Sequence, residues 1–198
     1  MRHPREQGGL SCADAQDAAD VRRCLGGDGQ SYRCIVARNQ AMVSRLLWRF
    51  SRDAEVHEDL VQECFIEAYQ ALTRYRGTGP FRHWLGRIAV RVGYRHWKRE
   101  RRRRAPEVVS VADLERVPDA PADEPADCAA AAETLFRLLA KLSPRDRLVL
   151  TLRYVEDCSV ERTAELTGWS QTMVKVQSLR ARTRLRTLFE RAEREAAG

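Results

Sequence analysis

The chain has 198 residues, 43% of them hydrophobic and 32% charged, with 35 Lys and Arg against 28 Asp and Glu for a net charge of +7. That length supports one ordinary domain or two small ones. No run of about eighteen apolar residues occurs, and Met1 to Gly9 is polar where a signal peptide needs an apolar stretch, so a cytoplasmic protein without membrane insertion is expected.

The six cysteines form no CxxC pair and have no His at finger spacing, which argues against a disulfide framework and a structural zinc site. They read instead as small core hydrophobes. Charge is segregated. Residues 1–80 are balanced, 81–104 carry +9, 105–133 carry −7 and 134–198 carry +5. Such alternation suggests two polyanion-binding modules with an acidic spacer.

Residues 1–30, with Gly8-Gly9 and Gly26-Gly27-Asp28-Gly29, read as a loose tail holding at most one short helix, on which no core depends. From Ser31 to Phe50, apolar residues recur at three- and four-residue steps, as one face of a helix requires. A second stripe runs through Leu60, Val61, Cys64, Phe65, Ala68, Tyr69 and Leu72 and stops at the breaker cluster Arg76-Gly77-Thr78-Gly79-Pro80. A third helix follows Pro80, with Phe81, Trp84, Leu85, Ile88, Ala89 and Val92 inward and Arg82, Arg87, Arg91, Arg95, Lys98 and Arg99 outward, ahead of Arg101 to Arg104.

From Ala105 to Asp127 four prolines stand among seven acids, a composition that buries no core and reads as a linker. Helical pattern then returns. Leu135, Phe136, Leu138, Leu139 and Leu142 stripe one helix, and Ser143-Pro144-Arg145-Asp146 opens the next with Ser at the cap and Pro in the first turn. Ser159 caps a short helix that Gly168 ends, and Ser170 caps a last one with Val174, Ser178, Ala181, Leu185 and Leu188 inward. No strand signal is present. The expected fold is all-α: two small helical domains joined by an acidic, Pro-rich linker, the C-terminal one a helix-turn-helix, with 31–104 and 128–190 as the domains, 105–127 as the linker and 191–198 as a tail.

Three constellations carry chemistry. In the helix pair Ser159 to Arg186, the second helix turns Gln171, Thr172, Lys175, Leu179 and Arg180 outward near its start, where a major-groove reader needs them. Arg182, Arg184 and Arg186 follow as candidate phosphate contacts. A capped helix pair with a solvated basic face in an ordinary bundle shares the pattern. The second is an interleaving of Tyr75, Phe81, Trp84, Tyr94 and Trp97 with arginines, the mixture that stacks unpaired bases and follows a backbone. Core packing accounts for Phe81, and it competes evenly with base contact for Tyr75 and Trp84. The third is the acidic row Asp59, Glu63 and Glu67, either a solvated face or a dock for a basic partner helix. The four histidines are scattered, and no nucleophile motif, phosphate loop or HExxH accompanies them, so neither an enzyme nor a cofactor is expected.

These residues resemble a known family. Asp59-Leu60-Val61-Gln62-Glu63-Cys64-Phe65 is similar to the DLVQExF motif of bacterial RNA polymerase sigma factors, and Tyr75-Arg76-Gly77 through Phe81 to Ala89 to the segment that follows it in the extracytoplasmic-function (ECF) group. Leu142 to Arg145, Ala164 to Gly168, Val174-Lys175 and Arg180 to Arg182 resemble that group's C-terminal domain. The likeness covers about residues 31–190 in the family's order. It implies a protein that docks Asp59, Gln62 and Glu63 on the clamp helices of the polymerase largest subunit, with further contact to the flap region. It implies melting and holding of the minus-ten promoter element by Tyr75, Arg76, Thr78, Trp84, Arg87, Arg91, Arg95 and Lys98. It also implies duplex reading of the minus-thirty-five element by Ser170, Gln171, Thr172, Lys175, Val176, Leu179, Arg180 and Arg182. Core polymerase, promoter DNA and an anti-sigma factor or other regulator are the implied partners. Arg91 and Arg95 stand where many members carry Asn and Asp, and Val176-Gln177 where Ser-Arg is common. A helix-turn-helix regulator acting without polymerase is the alternative function, and an RNA-binding scaffold a more distant one.

Overall fold

The computed structural model describes residues 12–104 and 126–196, which form eight α-helices and no strand. Residues 105–125 of the expected 105–127 linker lie outside the described residues, as do 1–11 and 197–198, whereas 126–127 and residues 191–196 of the expected tail are helical. In chain order the helices are α1 (Cys12–Leu25), α2 (Gln30–Leu47), α3 (Ala54–Gln70), α4 (Phe81–Arg104), α5 (Ala126–Lys141), α6 (Pro144–Leu150), α7 (Val160–Thr167) and α8 (Gln171–Ala196). No described helix is long and apolar enough to cross a membrane.

Helices α2, α3 and α4 pack around the stripes read from the sequence: Ile35, Val43 and Leu47 meet Leu60, Cys64 and Ala68 and, from α4, Phe81, Leu85, Ala89 and Val92. Asp53 starts α3 by accepting the Val56 N–H at 3.0 Å. At Gly93 a Cβ would fall inside the Phe50 ring, so only glycine lets α4 approach so closely. Trp97, one turn on, stacks on that ring at 4.4 Å between centroids and donates its indole N–H to the Phe50 carbonyl at 2.7 Å.

The N-terminal expectation needs correction. Cys12–Leu25 is a full helix, and its Val21 belongs to the core. Weak apolar periodicity hid it because the residues it buries are Asp14, Asp17 and Asp20. Arg38 meets Asp17 at 2.8 Å and also reaches Asp20, Asn39 donates to Asp17, and Arg82 approaches Asp14 at 3.5 Å. Buried carboxylates so paired avoid the desolvation cost of isolated charges. The cysteine reading also holds only in part: Cys64 is buried, with its thiol pushed up to about 12 mainly by burial, whereas Cys12 and Cys34 are exposed.

In the second half the sequence signals fall where expected. Ser143 accepts the Asp146 N–H at 3.2 Å, Ser159 the Arg162 N–H at 3.0 Å and Ser170 the Met173 N–H at 3.2 Å. Gly168 ends α7 in the left-handed region with φ 74°. Leu139, Leu142, Val149, Leu150, Val174 and Ala181 form this domain's core. Thr151–Val155 winds as a π-helical turn that extends α6.

The two domains also pack on each other. Leu148, Leu152 and Leu166 join the core of α1–α4, and the Leu166 side chain reaches to 3.3 Å of where a Cβ on Gly86 would stand. Polar contacts surround the seam: Arg49 pairs with Glu156 at 2.5 Å, Arg52 lies 3.7 Å over Phe136, and Arg101 donates to the Leu142 carbonyl at 3.3 Å.

Candidate nucleic-acid interface

On α3 the periodicity that buries Leu60, Cys64 and Ala68 turns Asp59 and Gln62 to solvent. Ile66 and Tyr69 continue that outer face at 57% and 53% exposure, an apolar extension that sequence reading missed because both residue types ordinarily count toward a core. Glu63 behaves differently. Its carboxylate takes Arg95 at 2.8 Å and Arg99 at 3.4 Å, and Glu67 takes Arg91 at 3.0 Å together with a very close contact from Arg95. Burial works against the charge of Glu67, but the hydrogen bonds from Arg95 and Arg91 outweigh it and hold its carboxyl below the ordinary value. Thus one member of the expected dock, Glu63, sits in a network with two of the expected minus-ten arginines.

The turn between α3 and α4 closes through Tyr75, whose hydroxyl donates to the Gly79 carbonyl at 2.6 Å. Its ring joins those of Phe81 and Trp84 in a triangle with centroids 5.2–5.5 Å apart. Phe81 is fully buried, whereas Tyr75 and Trp84 are half-buried and present ring surface beside exposed Arg76, Thr78 and Arg87. Farther along α4, Arg91 and Lys98 are exposed and Arg95 is half-buried against α3. Asp14 of α1, through Arg82, braces the start of α4 behind this turn. The loop aromatics and the basic side chains after them therefore share one edge of the domain.

In the second domain, Val174, Ser178 and Ala181 anchor α8 and leave Gln171, Thr172, Lys175, Val176, Leu179, Arg180 and Arg182 exposed, with Ser170 at the cap. Arg184, read as a candidate phosphate contact, is exposed and also has a structural partner. With Gln177 it binds the buried Asp146, each at 2.6 Å, which pins α8 to α6. The signal for it was present, since Gln177 and Arg184 lie two turns apart on one side of the helix.

Residues 35–103 match the Sigma-70 region 2 model, and 132–185 match Sigma-70, region 4. The chain is 31% identical to the RNA polymerase sigma-H factor of Pseudomonas aeruginosa over 91% of its own length and 97% of that protein's. The chain belongs to the ECF sigma factors of bacterial RNA polymerase. The ECF RNA polymerase sigma-E factor of Escherichia coli K12 is 30% identical, with 84% of this sigma factor and 90% of that one aligned. Among solved structures, the sigma factor RpoE of Bartonella quintana, bound to the anti-sigma factor NepR, superposes with TM-score 0.57 and 21% identity over 81% of this chain and 98% of that one. CnrH, in complex with the cytosolic domain of CnrY, gives 0.54 and 23% over 88% and 97%. These two likenesses establish the fold. The region 2 match corresponds to most of α2 through α4 and leaves α1 ahead of it, so the buried aspartate row of α1 lies outside the matched segment.

Proposed function

We propose that this sigma factor binds core RNA polymerase, melts and holds the minus-ten element with its first domain, and reads the minus-thirty-five element as duplex with its second. The observation that carries the reading is that one chain exposes both kinds of nucleic-acid surface. The α4 edge combines half-exposed rings with cations, as single strands require, and α8 offers the exposed row Gln171, Thr172, Lys175, Leu179 and Arg180, which suits a major groove. The face of α3 with Asp59 and Gln62, widened by Ile66 and Tyr69, suits a partner helix that is basic and partly apolar. The flap region of the polymerase is a further contact in this reading.

The protein itself does no chemistry; the polymerase does. Since the two elements lie about 25 base pairs apart, roughly 85 Å of duplex at about 3.4 Å per step, the packed domains separate when both are engaged. The 21 residues from 105 to 125 reach at most roughly 70–75 Å, so the domains themselves cover the remainder. The sigma factor RpoE, solved in complex with the anti-sigma factor NepR, motivates control of this cytoplasmic protein by an anti-sigma factor as well.

The test is a titration of labelled protein into purified core polymerase. Saturable binding that an ECF sigma factor competes away supports the reading. Duplex binding without affinity for core would make this a polymerase-independent regulator.

A further inference from the structure

Glu63 and Glu67, four residues apart on α3, run antiparallel to Arg91, Arg95 and Arg99, spaced by four on α4. Glu67 holds Arg91 and Arg95, Glu63 holds Arg95 and Arg99, and Arg95 is shared. Five groups therefore carry one net positive charge, where three free arginines would present three. Arg91 and Arg99, bonded to one carboxylate each, still have 58% and 51% of their side chains exposed.

A guanidinium has five N–H donors in a rigid plane. When a carboxylate engages one edge, the plane is fixed and the remaining donors point in a set direction. An unheld arginine on a helix surface instead follows the nearest phosphate, whatever the sequence. Glu67 contacts both Arg91 and Arg95, which lie on the face of α4 that continues from Trp84 at the turn.

We propose that Glu67 is a positioning residue for minus-ten recognition: by holding Arg91 and Arg95 it sets where their free N–H groups meet the strand and limits the charge α4 offers to any sequence. This rests on the minus-ten reading given above. A carboxylate that only ties α3 to α4 would affect stability and nothing else.

The experiment uses the full chain bound to core polymerase and measures anisotropy of a labelled single strand bearing the preferred minus-ten sequence, and of a scrambled strand, at several salt concentrations. For Glu67→Gln, which keeps the shape and removes the charge, the scrambled strand binds three- to tenfold tighter at low salt. The log–log salt slope steepens by roughly 0.7–1.4, the worth of one or two added phosphate contacts on single strands. The ratio of preferred to scrambled affinity falls at least threefold. Glu67→Asp, which keeps the charge and shortens the reach, loses part of that ratio and serves if the Gln variant folds poorly by circular dichroism. An unchanged ratio and slope in a folded variant overturns the proposal, whatever its melting temperature. Arg91→Gln with Arg95→Gln separates the two levels of the reading. If that pair discriminates like the wild type, the minus-ten assignment of α4 falls and Glu67 with it; if the pair is impaired while Glu67→Gln is normal, only the role of Glu67 falls.

Discussion

The Arg147 guanidinium lies 4.0 Å from the centre of the Trp97 ring, so a side chain of the recognition-helix domain caps the core of the other domain. Trp97 is almost wholly buried and fixed by its bond to Phe50, which makes the ring a rigid, desolvated platform. Arg147→Ala should lower stability by about 1–2 kcal/mol, since cation–π contacts reach about 2 kcal/mol when desolvated. Arg145, exposed and 5.3 Å over Trp169, serves as the control, and its alanine variant should cost less than about 1 kcal/mol. Urea titrations of the two variants give the comparison; equal losses would mean that the Trp97 contact adds nothing across the seam.

Asp59 is the cleaner probe of the polymerase dock. Reversing Glu63 would also release Arg95 and Arg99, so a defect could arise at the promoter. Asp59→Lys leaves that network intact and places a like charge before a basic partner helix. Core affinity should fall at least tenfold, about 1.4 kcal/mol, with unaltered circular dichroism. Wild-type affinity in the titration removes Asp59 from the interface.

Much of this arrangement was legible in the sequence, because helical stripes and capping residues are local signals. Ser143, Ser159, Ser170 and Gly168 act through neighbours three or four residues away, and each is found in its expected role. What could not be read depends on register between helices. Glu67 was visible as part of an acidic row, but its partners lie 24 and 28 residues later on another helix. Asp14, Asp17 and Asp20 have the spacing of a buried face in a residue type that ordinarily marks a surface. Leu148, Leu152 and Leu166 are plain apolar positions in their own helices, and nothing local says that they serve the neighbouring domain's core.

Tyr75 packs edge-on against Phe81 and Trp84 lies tilted against both rings, and Tyr75 and Trp84 are each only half-buried. Replacing either by Ala should cost on the order of 1–3 kcal/mol of open-complex stability, the worth of a base stack, with closed duplex binding nearly unchanged. Permanganate footprints of the melted region report this directly, and identical footprints for wild type and both variants would reduce the pair to packing.

Acid should destabilise the fold before its carboxylates titrate. Burial disfavours the charged ring of His57, His83 and His96, with Arg162 and Arg82 adding to the effect at His83, so all three titrate below the ordinary imidazole value of about 6.5. The unfolded chain then binds protons more readily than the folded one. Stability is full above about pH 6.5 and is lost as pH falls through that value toward the folded-state ones. Melting temperature should be lower at pH 5.5 than at pH 7.5, and His96→Gln should flatten the difference. A melting temperature that stays level or rises on acidification contradicts the assignment.

Transcription from a randomised promoter library by purified core polymerase, with and without this protein, reads sigma activity itself. Transcripts should depend on the protein and share two sequence elements spaced as minus-thirty-five and minus-ten. Arg180→Ala should relax preference at one position of the upstream element by roughly 1–3 kcal/mol, because a guanidinium can bond a guanine edge in two places, and should leave the downstream element unchanged. If core polymerase initiates no differently when the protein is added, although the protein is folded and binds duplex DNA, the sigma-factor account is contradicted.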